Sequence, residues 1–370
     1  MGLYDQWLSL RNHWLTSPKF HDFAIRFPLT RPIFRKRQSE VFDVVSGFVY
    51  SQILHICVVL GVLEEKRLIA QGLTLEEFSE LTDLGPDEAQ RLAKGAASLR
   101  ILEERNGKFL FGDLGAALSI NAGALAMIRH HSALYKDLSE PVELLANGRR
   151  ETHLSQYWDY ARNIDPKKAS AEEVREYSNL MSASQQAVSD EVIACYDFSN
   201  FESLMDVGGG QGTFLANVSK AAPHLNLRLF DLPEVVAMAE NHGISSELPT
   251  GTKFYGGSFF EDDLPKGADL ISLIRILHDH DDEPAQVILE KIYAALPVGG
   301  KLLLAEPMST GGHAARIADA YFNFYLYAMG SGRPRTPVEI SKMMKLAGFS
   351  RVKVVQTRAP FTTSLLVGEK

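Results

Sequence analysis

The chain has 370 residues, with 38 Lys and Arg against 46 Asp and Glu and a formal net charge of −8. It is 45% hydrophobic and 23% charged, which is typical of globular proteins and excludes a disordered or fibrous chain. The negative charge argues against general attraction to nucleic acid, so no nucleic-acid partner is expected. Two cysteines exclude a disulfide framework or a cysteine-built zinc site, and a cytoplasmic location is predicted.

Residues 1–40 form a basic N-terminal arm in this otherwise acidic chain. The arm contains seven Lys and Arg against three Asp and Glu, and Trp7 and Trp14 are among its aromatic residues. This pattern is typical of a peripheral anchor on an anionic membrane or of a contact with a partner subunit. The alternative is a helix that packs through its aromatic residues and exposes a basic face to solvent.

The segment from Val44 to Leu63 has 20 residues without a formal charge, which is long enough to span a membrane. Its interior contains polar residues that would be costly in lipid, among them Gln52 and His55. We therefore predict a buried helix in a helical domain or a dimer interface.

Residues 41–185 are predicted to be mostly helical. Two helices over Thr74–Glu80 and Gly85–Ile101, followed by a hairpin turn at Arg105–Lys108, outline a winged helix. A winged helix suggests DNA binding, but the stretch from Gly72 to Arg105 has four basic against eight acidic residues and would repel phosphate. Packing or dimerisation is the favoured role.

Residues 186–370 alternate between apolar strands and helices, which is typical of a parallel sheet in an α/β domain. The predicted parallel strands and a final antiparallel pair cover Leu204–Val207, Leu227–Phe230, Lys253–Tyr255, Leu270–Leu277, Lys301–Ala305, Val352–Gln356 and Ser364–Gly368.

A glycine-rich turn follows the first of these strands, and a helix from Thr213 to Ala222 follows the turn. The second strand ends in Asp231, nineteen residues after Gly212, where a carboxylate can accept hydrogen bonds from ribose hydroxyls. Gly210 and Gly212 are separated by one residue, whereas the dinucleotide fingerprint leaves two residues between these glycines. The pattern therefore favours an adenosine ligand without a pyrophosphate.

Four motifs resemble the S-adenosylmethionine-dependent O-methyltransferases of the caffeate and acetylserotonin type. They are Leu204–Gly210 (LMDVGGG), Phe230–Pro233 (FDLP), Arg275–Glu283 (RILHDHDDE) and Leu304–Pro307 (LAEP). The resemblance covers most of the chain. It implies a Rossmann-like class I methyltransferase domain, a winged-helix dimerisation domain before it, a homodimer and S-adenosylmethionine as cofactor.

The resemblance also implies roles for individual residues. Those matching Gly208 and Asp231 hold the cofactor, the pair matching Ser258 and Phe259 flanks the adenine, and the residue matching His278 is the catalytic base. We add Gly210 and Arg275 to the cofactor-binding candidates.

The residues themselves also favour His278 as the base. It follows an apolar strand, at the sheet edge where open α/β folds bind ligands. A neutral imidazole can take a hydroxyl proton, which methyl transfer to oxygen requires. Glu306, at the end of the next strand, is predicted to accept the other ring N–H and orient the base. The pair His278 and His280 also resembles a metal-binding H-x-H pattern, but no further ligand converges, and no metal is predicted.

Two positions depart from the plant enzymes. His280 stands where a tryptophan packs on the adenine, and Pro334 stands where a second glutamate flanks the base. The first change reduces the stacking area. The second leaves Glu306 as the expected orienting acid.

Five aromatic residues lie between positions 321 and 327, and Tyr321, Phe324 and Tyr325 would share one helical face. The resemblance places this helix along the acceptor pocket and places Met181 in contact with the substrate. Asp279 completes the predicted acceptor-binding set. The alternative for the aromatic stripe is plain core packing.

Three stretches are similar to bacterial hydroxycarotenoid (demethylspheroidene or hydroxyneurosporene) O-methyltransferases, namely Arg26–Pro32, Gly47–Gln52 and Ala328–Arg335. This similarity implies methylation of a tertiary 1-hydroxyl in carotenoid biosynthesis and fits a membrane-surface role for the arm. Two alternatives stay open. One is a methyltransferase acting on a phenol, a hydroxyindole or a bacteriochlorophyll precursor, and the other is a winged-helix regulator that binds S-adenosylmethionine without turnover.

Overall fold

The computed structural model describes residues 2–146, 151–156, 185–241, 247–311, 316–358 and 363–370. The chain divides into two compact units, Met1–Ser119 and Ile120–Lys370. The second unit begins at residue 120, whereas the sequence predicts that the methyltransferase domain begins at residue 186. Residues 157–184, which lie between these two positions, are outside the described part of the chain.

The first unit contains six α-helices and a β-hairpin among its described residues. The elements are α1 (Leu3–Leu15), α2 (Pro18–Arg26), α3 (Arg31–Val59), α4 (Leu75–Thr82), α5 (Pro86–Ser98), β1 (Leu102–Arg105), β2 (Lys108–Phe111) and α6 (Asp113–Ser119).

The two predicted helices and the predicted hairpin are present, and their assignment to a winged helix stays a prediction. Helix α4 begins with a capping box, in which Thr74 Oγ1 accepts a hydrogen bond from Glu77 N (3.3 Å) and Glu77 Oε2 accepts one from Thr74 N (2.8 Å). Strands β1 and β2 are antiparallel, and Asn106 and Gly107 both have positive φ in the turn between them, as a tight hairpin requires.

Helix α3 is, within the described chain, the helix long and apolar enough to cross a membrane by length and composition. The prediction that it is buried in a helical domain is wrong for the single chain, since Val44 is 84% and Phe48 is 72% exposed. The helix packs closely near its two ends: Phe34 is buried against His21 of α2, and towards the C-terminus Cys57 and Val58 are buried and Ile53 lies against Gly95 of α5.

The second unit is built around a seven-stranded sheet. Its main described α-helices are α7 (Ala122–Asp137), α8 (Pro141–Ala146), α9 (residues 185–195), α10 (Thr213–Ala221), α11 (Pro233–Asn241), α12 (Asp282–Ala295), α13 (Asn323–Met329) and α14 (Pro337–Leu346). Its strands are β3 (Ser203–Val207), β4 (Asn226–Asp231), β5 (Lys253–Gly256), β6 (Leu270–Ile274), β7 (Lys301–Glu306), β8 (Arg351–Val355) and β9 (Ser364–Glu369).

The strand order is β5-β4-β3-β6-β7-β9-β8. The first five strands are parallel, and β9 is antiparallel to both β7 and β8. The predicted α/β class and antiparallel edge pair are therefore confirmed. Strand β6 is shorter than predicted, because it ends at Ile274 and Leu277–Asp279 form a 3₁₀ turn.

The sheet has a hydrophobic core on each face, because successive side chains along a strand point to opposite sides. Met205 of β3 packs in the cluster that contains α12 and α14. Its neighbour Leu204 packs in the other cluster, with α9 and α10. The two helical layers leave the carboxyl ends of β3, β4, β6 and β7 side by side, and the candidate site lies at this edge.

Candidate active site

The glycine-rich turn leaves β3 with a backbone that only glycine adopts easily. Gly208 has φ +70°, and a Cβ added there would lie 2.6 Å from the Ile276 side chain. Gly210 has φ +58°, and nothing lies within 4 Å of the position of an added Cβ. The turn therefore packs tightly against Ile276 at Gly208 and leaves open space next to Gly210.

Asp231, at the end of β4, is fastened to this turn. Its Oδ2 accepts a hydrogen bond from Gly210 N and its Oδ1 accepts one from Leu232 N, both at 2.7 Å. Burial raises the pKa of the carboxyl, while the two backbone N–H groups oppose the rise. A carboxylate has about four lone-pair sites, so two stay available for ligand hydroxyls.

A second buried acid lies beneath the same turn. Asp206 Oδ1 accepts a hydrogen bond from Ser272 Oγ at 2.6 Å. Burial raises its pKa to about 7, and the negative charge of Asp231 adds to the rise. This acid was absent from the predicted site. Its place inside the LMDVGGG motif was the available signal.

The predicted adenine-flanking residues lie beside His280. The Phe259 and Phe260 rings are 5.6 and 5.2 Å from the His280 ring, both edge-on. Ser258 N donates a hydrogen bond to Asp262 Oδ2 at 2.8 Å, which fixes the start of this loop. Phe260 was missed by the sequence reasoning, although it follows Phe259 directly. The tryptophan position of the plant enzymes is thus part of a three-ring cluster here.

Arg275 is strained, with φ +58° in a residue other than glycine. Its backbone N–H donates to Ala305 O at 2.7 Å, which holds this conformation at the end of β6. The positive charge of Arg275 lowers the pKa of His278 and also acts on Tyr321. The structure thus places Arg275 close to the predicted base and the aromatic helix. Its assignment to the cofactor stays a prediction.

His278 lies in the 3₁₀ turn after β6 and is 3% exposed. Its Nε2 is 3.3 Å from Asp279 Oδ1, and its Nδ1 makes no hydrogen bond within the described chain. Burial first, and then the charges of nearby cationic side chains, lowers its pKa well below the usual 6.5. The ring is therefore neutral at physiological pH and holds a free lone pair.

Glu306 does not make the predicted hydrogen bond to the imidazole ring. Its Oε2 instead accepts a hydrogen bond from the backbone N–H of His278 at 3.0 Å, and its Oε1 has no partner among the described residues. The side chain is completely buried, and burial raises its pKa to about 8. Glu306 therefore holds the main chain of the 3₁₀ turn and not the ring.

The predicted acceptor-binding aromatics lie at a helical irregularity. Arg316–Phe322 form a π-helix that continues into α13. Tyr321 and Tyr325 remain neighbours, with centroids 5.9 Å apart, and Phe324 is half-buried on the next turn. The wider turn brings Phe322, which the α-helical spacing did not select, to 6.1 Å from the His278 ring.

Tyr321 also contacts helix α7. Its hydroxyl lies 2.7 Å from His131 Nε2, a contact that no motif suggested. Met181 lies outside the described residues, so its predicted substrate contact stays a prediction. At position 334 proline contributes no carboxylate, as the sequence indicates, but the neighbouring Arg335 is fully buried beside the turn that contains His278.

The residues around Gly210 and Asp231 fit an adenosine-containing cofactor. The open cradle at Gly210 accepts a close ligand, and the Asp231 carboxylate has unused acceptor capacity directly beside it. The aromatic loop at Ser258–Phe260 supplies apolar surface for a base.

A family model described as an O-methyltransferase domain matches residues 135–350, which is more than half of the chain. The chain is 39% identical to the demethylspheroidene O-methyltransferase of Rhodobacter capsulatus, over 96% of this chain and 88% of that protein. It is 40% identical to the demethylspheroidene O-methyltransferase of Cereibacter sphaeroides, over 94% of this chain and 91% of that protein. These matches confirm the resemblance inferred from the motifs.

The fold is also found among solved structures. The structure of human N-acetylserotonin methyltransferase in complex with SAM matches with a TM-score of 0.73 and 23% identity, over 90% of this chain and 97% of that chain. This likeness concerns the fold and agrees with the predicted architecture of a helical N-terminal region followed by a Rossmann-like domain.

Proposed function

The chain belongs to the O-methyltransferase domain family, and from this we propose that it methylates the tertiary 1-hydroxyl of a carotenoid such as demethylspheroidene or hydroxyneurosporene. The carotenoid acceptor is inferred from the identity of about 40% to two demethylspheroidene O-methyltransferases over most of both chains. The enzyme is S-adenosylmethionine-dependent. This agrees with its fold, which it shares with a methyltransferase solved in complex with SAM.

The cofactor-binding residues in this proposal are Gly208, Gly210 and Asp231, with the Ser258–Phe259 pair at the adenine. When bound, S-adenosylmethionine supplies an electrophilic methyl group on a positively charged sulfur. Asp231 accepts hydrogen bonds from ribose hydroxyls through the lone pairs that Gly210 and Leu232 leave free. The chain thereby fixes one reactant at the sheet edge next to His278.

His278 takes the proton of the acceptor hydroxyl in our proposal. A ring that donates Nε2–H toward Asp279 keeps its lone pair on Nδ1, the nitrogen without a protein partner. A tertiary alcohol is far less acidic than a phenol, whose pKa is roughly 10. Because burial also weakens the base, the proton leaves while the new carbon–oxygen bond forms and the carbon–sulfur bond breaks.

The aromatic helix supports an apolar acceptor. Phe322 presents its ring 6.1 Å from the His278 ring, and Tyr321 turns its hydroxyl to His131. An apolar polyene gains free energy from contact with such rings. This surface supports the carotenoid over a small polar phenol.

The test is methyl transfer from labelled S-adenosylmethionine to a 1-hydroxycarotenoid in detergent micelles, beside a panel of phenols, hydroxyindoles and bacteriochlorophyll precursors. We expect label in the carotenoid, and label only in another acceptor would overturn the carotenoid assignment. His278→Ala should lower turnover about 10²–10⁴-fold, to a small residual rate, and leave cofactor affinity nearly unchanged. His224→Ala, at an exposed histidine, is the matched control. A fully active His278→Ala enzyme would show that the base is wrongly assigned.

We also propose that the basic arm, residues 1–40, holds the enzyme on the cytoplasmic face of an anionic membrane, where a carotenoid resides. The support is an exposed set of apolar side chains on α1 next to basic ones. Trp7 and Trp14 are each 53% exposed, and the Arg11 guanidinium lies 5.3 Å from the Trp7 ring centre. Tryptophan at an interface and arginine near anionic headgroups are both favourable.

Vesicle sedimentation tests the membrane contact. The enzyme should sediment with phosphatidylglycerol vesicles and less with phosphatidylcholine vesicles, and added salt should weaken the binding. The double variant Trp7→Ser, Trp14→Ser should lose it. Leu346→Ser, at another highly exposed apolar residue, is the control. Equal binding of all variants would contradict the arm as the contact.

We further propose a homodimer through the exposed face of α3. The support is the uncharged stretch that begins at Val44, together with the exposure of Val44 and Phe48 in the single chain. Light scattering should give a dimer for the wild type and a monomer for Phe48→Asp. Val298→Asp, at an exposed residue of the second unit, should stay dimeric.

A further inference from the structure

The 3₁₀ turn that contains His278 is held by a second segment of the chain, Ser331–Arg335. Four consecutive backbone carbonyls, those of residues 277–280, each accept a hydrogen bond from this segment. The donors are Arg335 Nη1 to Leu277 O (2.9 Å), Arg333 N to His278 O (2.9 Å), Ser331 Oγ to Asp279 O (2.7 Å) and Arg335 Nη2 to His280 O (2.7 Å). The whole turn is therefore fixed from one side.

Arg335 is central to this arrangement. Its side chain is completely buried, and besides the two carbonyls it binds Asp282 Oδ1 through Nε (3.0 Å) and Nη2 (2.8 Å). Asp282 is the first residue of α12, so the guanidinium joins the turn to the helix that follows it. A planar guanidinium fork suits this task, and a lysine ammonium cannot reproduce its geometry.

The contact between the two segments is too close for any side chain at position 332. A Cβ added to Gly332, whose φ is +84°, would lie 2.0 Å from His278 O. Gly332 N also donates to Asp281 Oδ1 at 3.1 Å. The glycine thus permits the approach that lets its neighbours reach the carbonyls.

Arg335 also acts on the charges of the site. Its positive charge is one of the causes that lower the pKa of His278, and it opposes the rise of the pKa of Glu306. The other charged or titratable groups that face His278 are Arg275, Asp279, His280 and Glu306. The hydrogen bonds of Arg335 go to the turn and to Asp282, so we assign its influence on the reaction to the placement of the turn.

We propose that Arg335 is a positioning residue for the methyl transfer, which sets the place of the His278 imidazole by binding the carbonyls on both sides of it. Proline at position 334 contributes no carboxylate to this segment, and the turn is held through its main-chain carbonyls by the side chains of Ser331 and Arg335 and the backbone N–H of Arg333. This inference rests on the proposed role of His278 as the base.

The test compares Arg335→Met, which removes the charge and the fork, with Arg335→Lys, which keeps the charge. Arg335→Met should lower kcat about 100-fold, the loss that a misplacement of about 1 Å can cause, while the cofactor KM changes little. The acid limb of its kcat–pH profile should move to higher pH, because a positive charge that disfavours imidazolium is gone. Arg335→Lys should restore the pH profile and leave kcat reduced.

Three measurements separate positioning from a general loss of structure. Arg351→Met removes an exposed arginine paired with Glu369 at 3.8 Å and should leave kcat unchanged. In a His278→Ala background Arg335→Met should lower the residual rate no further, because both changes act on the same step. Ser331→Ala, a milder change, should lower kcat about 5-fold and leave the melting temperature nearly unchanged.

The outcomes are distinct. Additive losses in the double variant, or a loss of activity that follows the folded fraction with an unmoved pH profile, would overturn the role of Arg335. If Arg335→Met does not fold, unchanged kcat in both Arg335→Lys and Ser331→Ala would overturn it. Failure of the proposed function is visible separately, as a wild type that labels no hydroxycarotenoid or a His278→Ala variant that keeps its activity.

Discussion

The side chain of Glu306 binds the main chain of His278, since Glu306 Oε2 accepts a hydrogen bond from the backbone N–H of His278 at 3.0 Å. The acid therefore holds the backbone of the turn and not the imidazole ring. With its pKa raised to about 8 by burial, the carboxyl is largely protonated at neutral pH. A neutral carboxyl can still accept the backbone hydrogen bond, so its role here does not need a negative charge.

Glu306→Gln should therefore be tolerated better than Glu306→Ala. The amide oxygen of Gln can accept the His278 backbone N–H, and we expect kcat within about 10-fold of the wild type. Alanine leaves that buried N–H unpaired, which costs about 1–3 kcal/mol. Steady-state kinetics and thermal melting check both variants. Equal loss in the two variants would show that the negative charge of Glu306 is required.

The stability of the enzyme should fall between pH 6.5 and 8. Glu306 and Asp206 have pKa values raised in the fold to about 8 and about 7, so their contribution is complete below the unfolded values near 4 and is lost as pH rises through 7 and 8. His278 and His130 have lowered pKa values, and their contribution is lost only as pH falls below 6.5. From pH 6.5 upward the buried acids act, and Asp231, whose pKa burial also raises, contributes in the same direction.

Thermal melting from pH 6 to 9 at constant ionic strength measures this effect. Glu306→Gln should flatten the fall, because the amide does not titrate. Glu261→Gln, at an exposed glutamate, should keep the wild-type slope. A wild-type melting temperature that rises through this range would contradict the raised pKa values.

Gly210→Ala should weaken cofactor binding. The substitution places an L side chain at φ +58° and adds a methyl group in the open space beside Asp231, so both strain and lost room oppose the ligand. We expect a loss of at least about 10-fold in affinity, which calorimetry can measure. Gly299→Ala is the matched control, with φ +81° and equal space, in the turn before β7. It should lower stability and leave the affinity unchanged.

Asp231→Ala should lower cofactor affinity before it lowers the maximal rate. The variant loses the acceptor for ribose hydroxyls and leaves Gly210 N without its 2.7 Å hydrogen bond. Asp269→Ala offers a control of the same kind, because Asp269 also accepts from two backbone N–H groups, those of Glu202 and Ser203, both at 2.8 Å. These two N–H groups lie at the start of β3, at the opposite end of the strand from the glycine-rich turn. Equal loss of affinity in the two variants would remove Asp231 from the cofactor site.

Local patterns determined much of this protein. The capping box at Thr74, the Asn106-Gly107 turn and the alternation along β3 depend on interactions within a few residues. The helices and hairpin of the first unit and the α/β sheet could therefore be predicted from the sequence. The four methyltransferase motifs likewise placed Asp231 and His278 at the carboxyl edge of the sheet, because strand ends fix those positions.

The tertiary structure alone decided how the turn around His278 is held. Whether Glu306 meets the ring or the backbone depends on where β7 ends relative to β6, and the contact of Arg335 with Leu277 joins segments 58 residues apart. The π-helix that moves Phe322 toward the base also follows from packing and not from spacing. Side-chain partners across strands are set by distances of a few tenths of an ångström, which a residue pattern does not encode.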